Sequence, residues 1–156
     1  MRTRAMLIAV LAFLYFGKCA AQAGGDSMQH PASMAEPDTR ELLKISPAAL
    51  EGLRADMRNM LVCLGNVLDL LAAGKRIEAA HALEDGIGMS AMSTHPGMMK
   101  ASSELPESAR MLGMNMHQAA SALARDLPKA TPEQSLAGLQ SIVAGCTSCH
   151  LTYRAR

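Results

Sequence analysis

The chain has 156 residues, a length that fits a single domain. Hydrophobic residues make up 49% of it and charged residues 19%, a balance that argues against wholesale disorder. A formal net charge of +1 gives no sign of the basic face that binds nucleic acid. We therefore expect one folded domain without a nucleic-acid partner.

The first segment has the pattern of an export signal. Arg2 and Arg4 precede an apolar run over residues 6–16, which is too short to span a membrane, and a small-x-small cleavage site ends at Ala23. This pattern predicts a cleaved signal peptide over residues 1–23, a periplasmic location and no membrane association after cleavage. An uncleaved membrane anchor is one alternative. Lipid attachment at Cys19 is a weaker one, because Lys18 stands where a small residue would be expected.

Cleavage would remove every aromatic residue except Tyr153. Because aromatic side chains usually dominate core burial, a core without them must consist of aliphatic and methionine side chains. Such a core leaves room for a large flat cofactor.

The mature chain is predicted to open with a leader, residues 24–45, followed by a domain over residues 46–156. Pro31 and Pro37 favour a loose conformation in the leader. A short helical turn is expected over residues 40–43.

Two helices are predicted next. Helix A starts with Ser46 as N-cap and Pro47 at the first helical position, and it stops at Gly74. Helix B covers about residues 76–85, and the short connection implies antiparallel neighbours. The apolar face of helix A consists of Leu50, Leu53, Met57, Met60, Leu61, Leu64, Val67, Leu68 and Leu71.

Residues 87–105 contain glycine, proline and several serines and are predicted to form a loop. Four methionines and His95 lie within residues 89–99. Because thioethers and imidazole suit Cu(I), copper handling by this segment is one hypothesis. Methionine-rich loops also cover apolar surfaces, which is the simpler interpretation.

Two further helices complete the predicted domain. Helix C covers about residues 106–126. Helix D begins with Thr131 as N-cap, with Pro132 and Gln134 in a capping box, and continues to about Tyr153. Its inward stripe is predicted to be Leu136, Leu139, Val143, Cys146, His150 and Tyr153. Four helices, short connections and no strand-like alternation predict an all-α fold, an antiparallel four-helix bundle.

The last helix contains Cys146-Thr147-Ser148-Cys149-His150. A C-x-x-C-H run is the attachment site for one covalent haem c. Each thiol adds to one haem vinyl group, and the adjacent His150 then lies under the iron as axial ligand. Cys63, alone in an apolar helical pattern, is predicted to be a small core residue.

Three other interpretations of Cys146 and Cys149 remain. A thioredoxin-like motif should open a helix after a strand, whereas this one ends the last helix. A zinc site needs further ligands at short range, and none is obvious. A disulfide between these two positions is sterically awkward within a regular helix.

A four-helix bundle with C-x-x-C-H near the end of its last helix resembles cytochrome c′ and its six-coordinate, low-spin relatives. The tail from Cys146 to Arg154 is similar to the family's C-x-x-C-H-x-x-[YF]-[RK] ending. The resemblance implies that Cys146 and Cys149 carry thioethers, that His150 is the proximal ligand and that Tyr153 packs beside the ring. It also implies that Arg154 lies near a haem propionate, although a solvated cation at the helix end is an equal alternative.

The residue at the sixth iron position distinguishes two functions in this family. The resemblance places that residue early in helix A, where Met57 is the first candidate and Met60 the second. A methionine ligand implies a periplasmic carrier of single electrons, with redox proteins as partners and no enzyme activity. If both methionines are core filler, the resemblance implies a five-coordinate cytochrome c′ that binds or sequesters NO or CO. Family members often form dimers through the first two helices, so a homodimer is a further expectation.

Overall fold

A computed structural model of the chain describes residues 37–94 and 96–156. The predicted signal peptide and most of the leader lie outside the described residues. Residues 38–156 form one compact unit. No helix in the described ranges is long and apolar enough to cross a membrane.

The described part of the chain is mostly helical, so the predicted all-α class is confirmed. Its elements, in chain order, are β1 (Glu41–Leu42), α1 (Pro47–Ala72), α2 (Arg76–Gly86), α3 (Met89–Thr94), α4 (Pro96–Glu104), α5 (Glu107–Asp126), α6 (Pro132–Thr152) and β2 (Tyr153–Arg154). The predicted helices A, B, C and D correspond to α1, α2, α5 and α6.

The termini of α1 follow the predicted signals. Ser46 caps the helix by accepting a hydrogen bond at its hydroxyl from the Ala49 amide, at 3.2 Å. Gly74 follows the helix in the left-handed region with φ of 73°, and the Lys75 amide donates back to the Leu70 carbonyl at 2.8 Å. This arrangement is a Schellman motif, which satisfies carbonyls at the end of a helix and lets α2 begin at once.

The start of α6 is the predicted capping box. The Gln134 amide donates to the Thr131 hydroxyl at 3.2 Å, and the Thr131 amide donates to the Gln134 side chain at 2.8 Å. Both bonds satisfy amides that a helix start would otherwise leave without partners. The helix then continues to Thr152, one residue short of its predicted end.

The prediction of a loop over residues 87–105 is wrong. This stretch contains α3 and α4, two short helices. Pro96 stands at the first position of α4, where proline is well tolerated because the amide it lacks would have no helical partner. Methionine and alanine are good helix formers, and they offset the serines that the loop prediction relied on.

The helical turn predicted over residues 40–43 is also wrong. Glu41 and Leu42 are extended and pair in parallel with Tyr153 and Arg154. The Leu43 amide donates to the Arg154 carbonyl at 3.0 Å. The partner for this extended segment lies more than a hundred residues away in the chain, so local sequence could not reveal it.

The predicted inward stripe of the last helix is partly wrong. Leu136 and Val143 are 63% and 44% exposed, whereas Leu139 and Ile142 are buried. Gly138 and Gly145 lie on the side of the helix that approaches α5 closely. A Cβ atom at Gly145 would lie 2.9 Å from Met116 Cβ, and one at Gly138 would lie 3.0 Å from Leu123 Cγ.

The main hydrophobic core joins α1, α2, α5 and α6. Its largest fully buried side chains are those of Val67, Leu83, Leu127 and Ile142. Within the described residues, α1 packs mainly against α2 and α4, while α5 packs mainly against α2 and α6. The sides of α1 and α6 that face each other are therefore left to line a cleft.

Candidate functional site

A cleft of about 640 Å³ lies between α1, α5 and α6. Each helix contributes residues at intervals of three and four, the spacing of one helical face. The lining residues of these faces are Leu53, Asp56, Met57, Met60, Leu61 and Leu64 on α1, Ala109, Leu112, Gly113, Met116 and His117 on α5, and Ile142, Gly145, Cys146, Cys149 and His150 on α6. The volume and the mostly apolar lining are those of a cofactor-sized site.

The α6 wall carries the whole C-x-x-C-H motif. Cys146, Cys149 and His150 all line the cleft. Cys149 is half-buried, while Cys146 and His150 are exposed. One helical turn separates the two cysteines, so both thiols and the imidazole are presented to the same space.

Both thiols on this wall are held in the protonated form at neutral pH. Burial raises the pKa of the Cys146 thiol. Burial also raises the pKa of Cys149, and the neighbouring Cys146 adds to this effect. The Cys146 thiol lies 3.6 Å from the Met116 sulfur, which fixes its position on the side of α5. The pair is therefore a set of neutral thiols rather than of reactive thiolates.

The α1 wall carries both predicted methionines. Met57 and Met60 are half-buried and line the cleft. They pack against different apolar clusters: Met57 against the one that contains Leu53 and Ala101, and Met60 against the main core. The two thioethers therefore lie at different levels along the cleft.

Two buried polar side chains also line the cleft. Asp56 is 5% exposed and His117 is 2% exposed. Nδ1 of His117 lies 2.6 Å from the Ile87 carbonyl oxygen. Because a carbonyl only accepts, Nδ1 carries a hydrogen and donates it to Ile87.

The end of α6 is tied to the segment before α1. Nη1 of Arg40 donates to the His150 carbonyl at 3.1 Å, and Nε of Arg154 donates to the Arg40 carbonyl at 3.0 Å. Asp38 forms an ion pair with Arg40 at 2.9 Å. We call the group of Asp38, Arg40 and the β1–β2 pair the terminal clasp. Arg154 belongs to this clasp and does not line the cleft.

The Tyr153 side chain is buried and links two helices of the described fold. Its side chain is 6% exposed, and its hydroxyl lies 2.5 Å from the Ser108 hydroxyl. This contact joins the start of α5 to the end of α6. Tyr153 does not line the cleft.

Sequence reasoning missed three charged residues of the cleft: Asp56, Arg58 and Arg110. Asp56 could have been found, because it is three residues after Leu53 and four before Met60, on the inward face. The two arginines flank the apolar stripes of their helices, where a cation is normally only part of a solvated face.

The remaining candidate residues lie apart from the α6 wall. Cys63 is half-buried against the main core, and its thiol donates to the Ala82 carbonyl at 3.2 Å, as expected of a core cysteine.

In the methionine-rich segment, Met92 lines the cleft and Met99 is 65% exposed. His95 lies outside the described residues, so the copper hypothesis stays a prediction. No cluster of three or more His, Cys, Asp or Glu side chains suited to a metal ion is found within the described ranges.

No protein family model, curated protein or solved structure matches this chain.

Proposed function

We propose that this chain is an exported c-type cytochrome that carries single electrons on one covalently bound haem. In this proposal α1, α2, α5 and α6 form an antiparallel four-helix bundle around the cofactor. Cys146 and Cys149 hold the haem through thioethers, His150 is one axial ligand of the iron and Met57 is the other. The predicted signal peptide supports a periplasmic location.

One observation carries the proposal. The only C-x-x-C-H run in the chain lies along one wall of a cleft of about 640 Å³, and the α1 wall of the same cleft presents two thioethers. Covalent haem attachment uses a thiol pair and an imidazole, and a thioether can add a second ligand to the iron. Because a porphyrin supplies four ligands to its iron, one or two side chains complete the coordination.

The state of the thiols supports attachment. Cys146 and Cys149 are both free cysteines. In thioether formation each sulfur would bond to one vinyl carbon, and a hydrogen would go to the other. No atom would leave and no oxidant would be consumed, so the two cysteines would have to be reduced, as they are here.

The packing of α1 favours Met57 over Met60 as the second axial ligand. Met57 packs against the small cluster of Ala49, Leu53 and Ala101, and Leu105, immediately before α5, packs against the same cluster. The start of α5 meets the end of α6 through Ser108 and Tyr153, and His150 lies at that same end. Met60 instead packs against the main core.

An electron carrier needs a redox centre near the surface rather than a substrate site. The motif wall is partly exposed, so an electron could pass between the bound haem and a partner protein at this edge. A thioether opposite the imidazole raises the reduction potential of the iron. We propose on this basis that the protein has redox partners and is not an enzyme.

The spectrum of the reduced and oxidised holoprotein tests the assignment of Met57. We expect the wild type to be low spin in both states. Replacing the thioether in Met57→Leu removes a ligand without removing apolar volume, and should convert the iron to high spin. Met60→Leu is the matched control and should stay low spin. A low-spin spectrum in both variants would refute methionine ligation.

A second candidate is a five-coordinate haem protein that binds NO or CO. Both methionines already pack against apolar clusters, as core filler does, and this observation favours it. Rapid binding of CO by the reduced wild-type protein, together with a high-spin spectrum, would establish this alternative. Slow or absent binding would support the electron carrier.

A further inference from the structure

Two guanidinium groups line the cleft without an oppositely charged partner among the described residues. Arg58 on α1 and Arg110 on α5 both line it, and both residues are exposed. Neither side chain forms an ion pair or a hydrogen bond with another described residue. The ion pairs in the described ranges are Arg40–Asp38, Arg54–Glu51 and Arg154–Asp38.

We propose, resting on the function proposed above, that Arg58 and Arg110 bind the two propionate carboxylates of the haem. A haem is apolar over most of its surface and carries these two anions at one edge. Arginine suits a carboxylate because its planar fork donates two parallel hydrogen bonds and stays charged at any physiological pH. The cleft offers an apolar lining for the haem ring and two exposed cations for the anionic edge of the haem.

The surroundings of the other candidate cation support this assignment. Arg154 is engaged with the Arg40 carbonyl at 3.0 Å and with Asp38 at 3.9 Å, in the terminal clasp. Binding a propionate there would break these contacts. Arg58 and Arg110 have no ion pair within the described ranges that a carboxylate would have to replace.

Charged partners should lower the pKa of both carboxylates. An opposite charge within a few ångströms stabilises an ionised carboxylate and moves its titration by about one to three pH units. The other titratable groups along the cleft are Asp56 on α1, His117 on α5, and Cys146, Cys149 and His150 on α6, so the readout must report the haem carboxylates alone.

Carbon-13 NMR of the holoprotein provides that readout. The full chain is matured in a bacterial strain with a cytochrome c maturation system and fed 5-aminolevulinate labelled at carbon 1, which marks only the two propionate carboxylates. Their resonances are followed against pH in the reduced wild type and in Arg58→Gln and Arg110→Gln. Arg54→Gln on α1, whose arginine pairs with Glu51, and Arg125→Gln on α5 are the matched controls.

In each cleft variant we expect the titration midpoint of one carboxylate to rise by about one pH unit, and neither control should shift. Unchanged midpoints in both cleft variants, or an equal shift in a control or in Arg154→Gln, would overturn the inference. If a glutamine variant fails to fold, the lysine variant at that position replaces it, and we expect a smaller rise. A wild type without covalent haem would refute the proposed function itself, whereas attached haem with unmoved midpoints would refute only the roles of Arg58 and Arg110.

Discussion

Cys63 and the two motif cysteines are chemically similar but lie in different surroundings. Burial raises the pKa of all three thiols. Of the three, only Cys146 and Cys149 line the cleft. The Cys63 thiol instead donates to the carbonyl of Ala82, a residue of α2. Position, rather than acidity, therefore distinguishes the cysteines that can reach a cofactor.

Single cysteine variants test this distinction. We expect Cys146→Ala and Cys149→Ala each to keep at most one thioether, because one sulfur is lost in each. In alkaline pyridine, the absorption band of the haem should move to the longer wavelength of a haem that keeps one unsaturated vinyl group. Cys63→Ala is the control and should keep both thioethers while losing about 1 kcal/mol of unfolding free energy. A haem of unchanged type in Cys146→Ala would contradict the assignment.

At the scale of single residues, sequence predicted the motif wall better than the charged residues around it. Cys146, Cys149 and His150 follow from a spacing that has few other uses, and the two methionines lie on the face that the helical period predicts. Arg58 and Arg110 were missed because a cation beside an apolar stripe is usually solvated. Only the packing of α1, α5 and α6 places these two arginines along the same cleft.

The close approach of α5 and α6 depends on small residues in the contact. A Cβ atom at Gly138 would contact Leu123 Cδ1 and lie 3.0 Å from Leu123 Cγ, and Leu123 is only 5% exposed. Gly65 on α1 has no such neighbour within 4 Å. The two helical glycines therefore offer a matched comparison between a crowded and an open position.

We expect Gly138→Ala to lower the unfolding free energy by about 1–3 kcal/mol, because the added methyl overpacks the helix contact. Gly65→Ala should raise it by about 0.5–1 kcal/mol, because alanine restricts the unfolded chain and favours the helix. Urea denaturation followed by circular dichroism measures both. Equal stabilisation by the two substitutions would show that α5 and α6 are not packed this closely.

The terminal clasp should be sensitive to acid. The side-chain hydrogen bond from Arg40, together with the Arg40 amide and charge, lowers the pKa of Asp38 to about 2. A carboxyl whose pKa is lowered on folding stabilises the folded state above its ordinary pKa, and this contribution is lost as the pH falls toward the lowered value. The clasp should therefore weaken between about pH 4 and pH 2.

Amide hydrogen exchange reports this weakening. Protection of the Leu43 amide, which donates to the Arg154 carbonyl, should fall over this pH range once intrinsic exchange is corrected for. Asp38→Asn should show lower protection already at neutral pH and no such transition. Constant protection of Leu43 down to pH 2 in the wild type would contradict the role of Asp38.

At the scale of elements, the sequence predicted the helix ends that depend on interactions between residues close together in the chain. The caps at Ser46 and Thr131 and the stop at Gly74 each satisfy backbone groups within a few residues, so the sequence contains the whole interaction. The β1–β2 pair depends instead on the distant end of α6, so the sequence around residues 40–43 does not contain its partner.

At the scale of the whole molecule, one apolar cleft accounts for features that otherwise have no common explanation. The helices leave a space between α1 and α6, the predicted mature chain retains only one aromatic residue, and that residue, Tyr153, does not line the space. A flat macrocycle would supply the large apolar surface that aromatic side chains usually provide. The proposed haem would thus account for both the cleft and the motif.

The intact mass of the mature protein tests this account most directly. The full chain is produced in a strain with a cytochrome c maturation system and analysed after denaturation, so that only covalent adducts remain. We predict a red protein whose mass equals the chain after Ala23 plus one haem. A colourless product with the mass of the bare polypeptide would contradict the account.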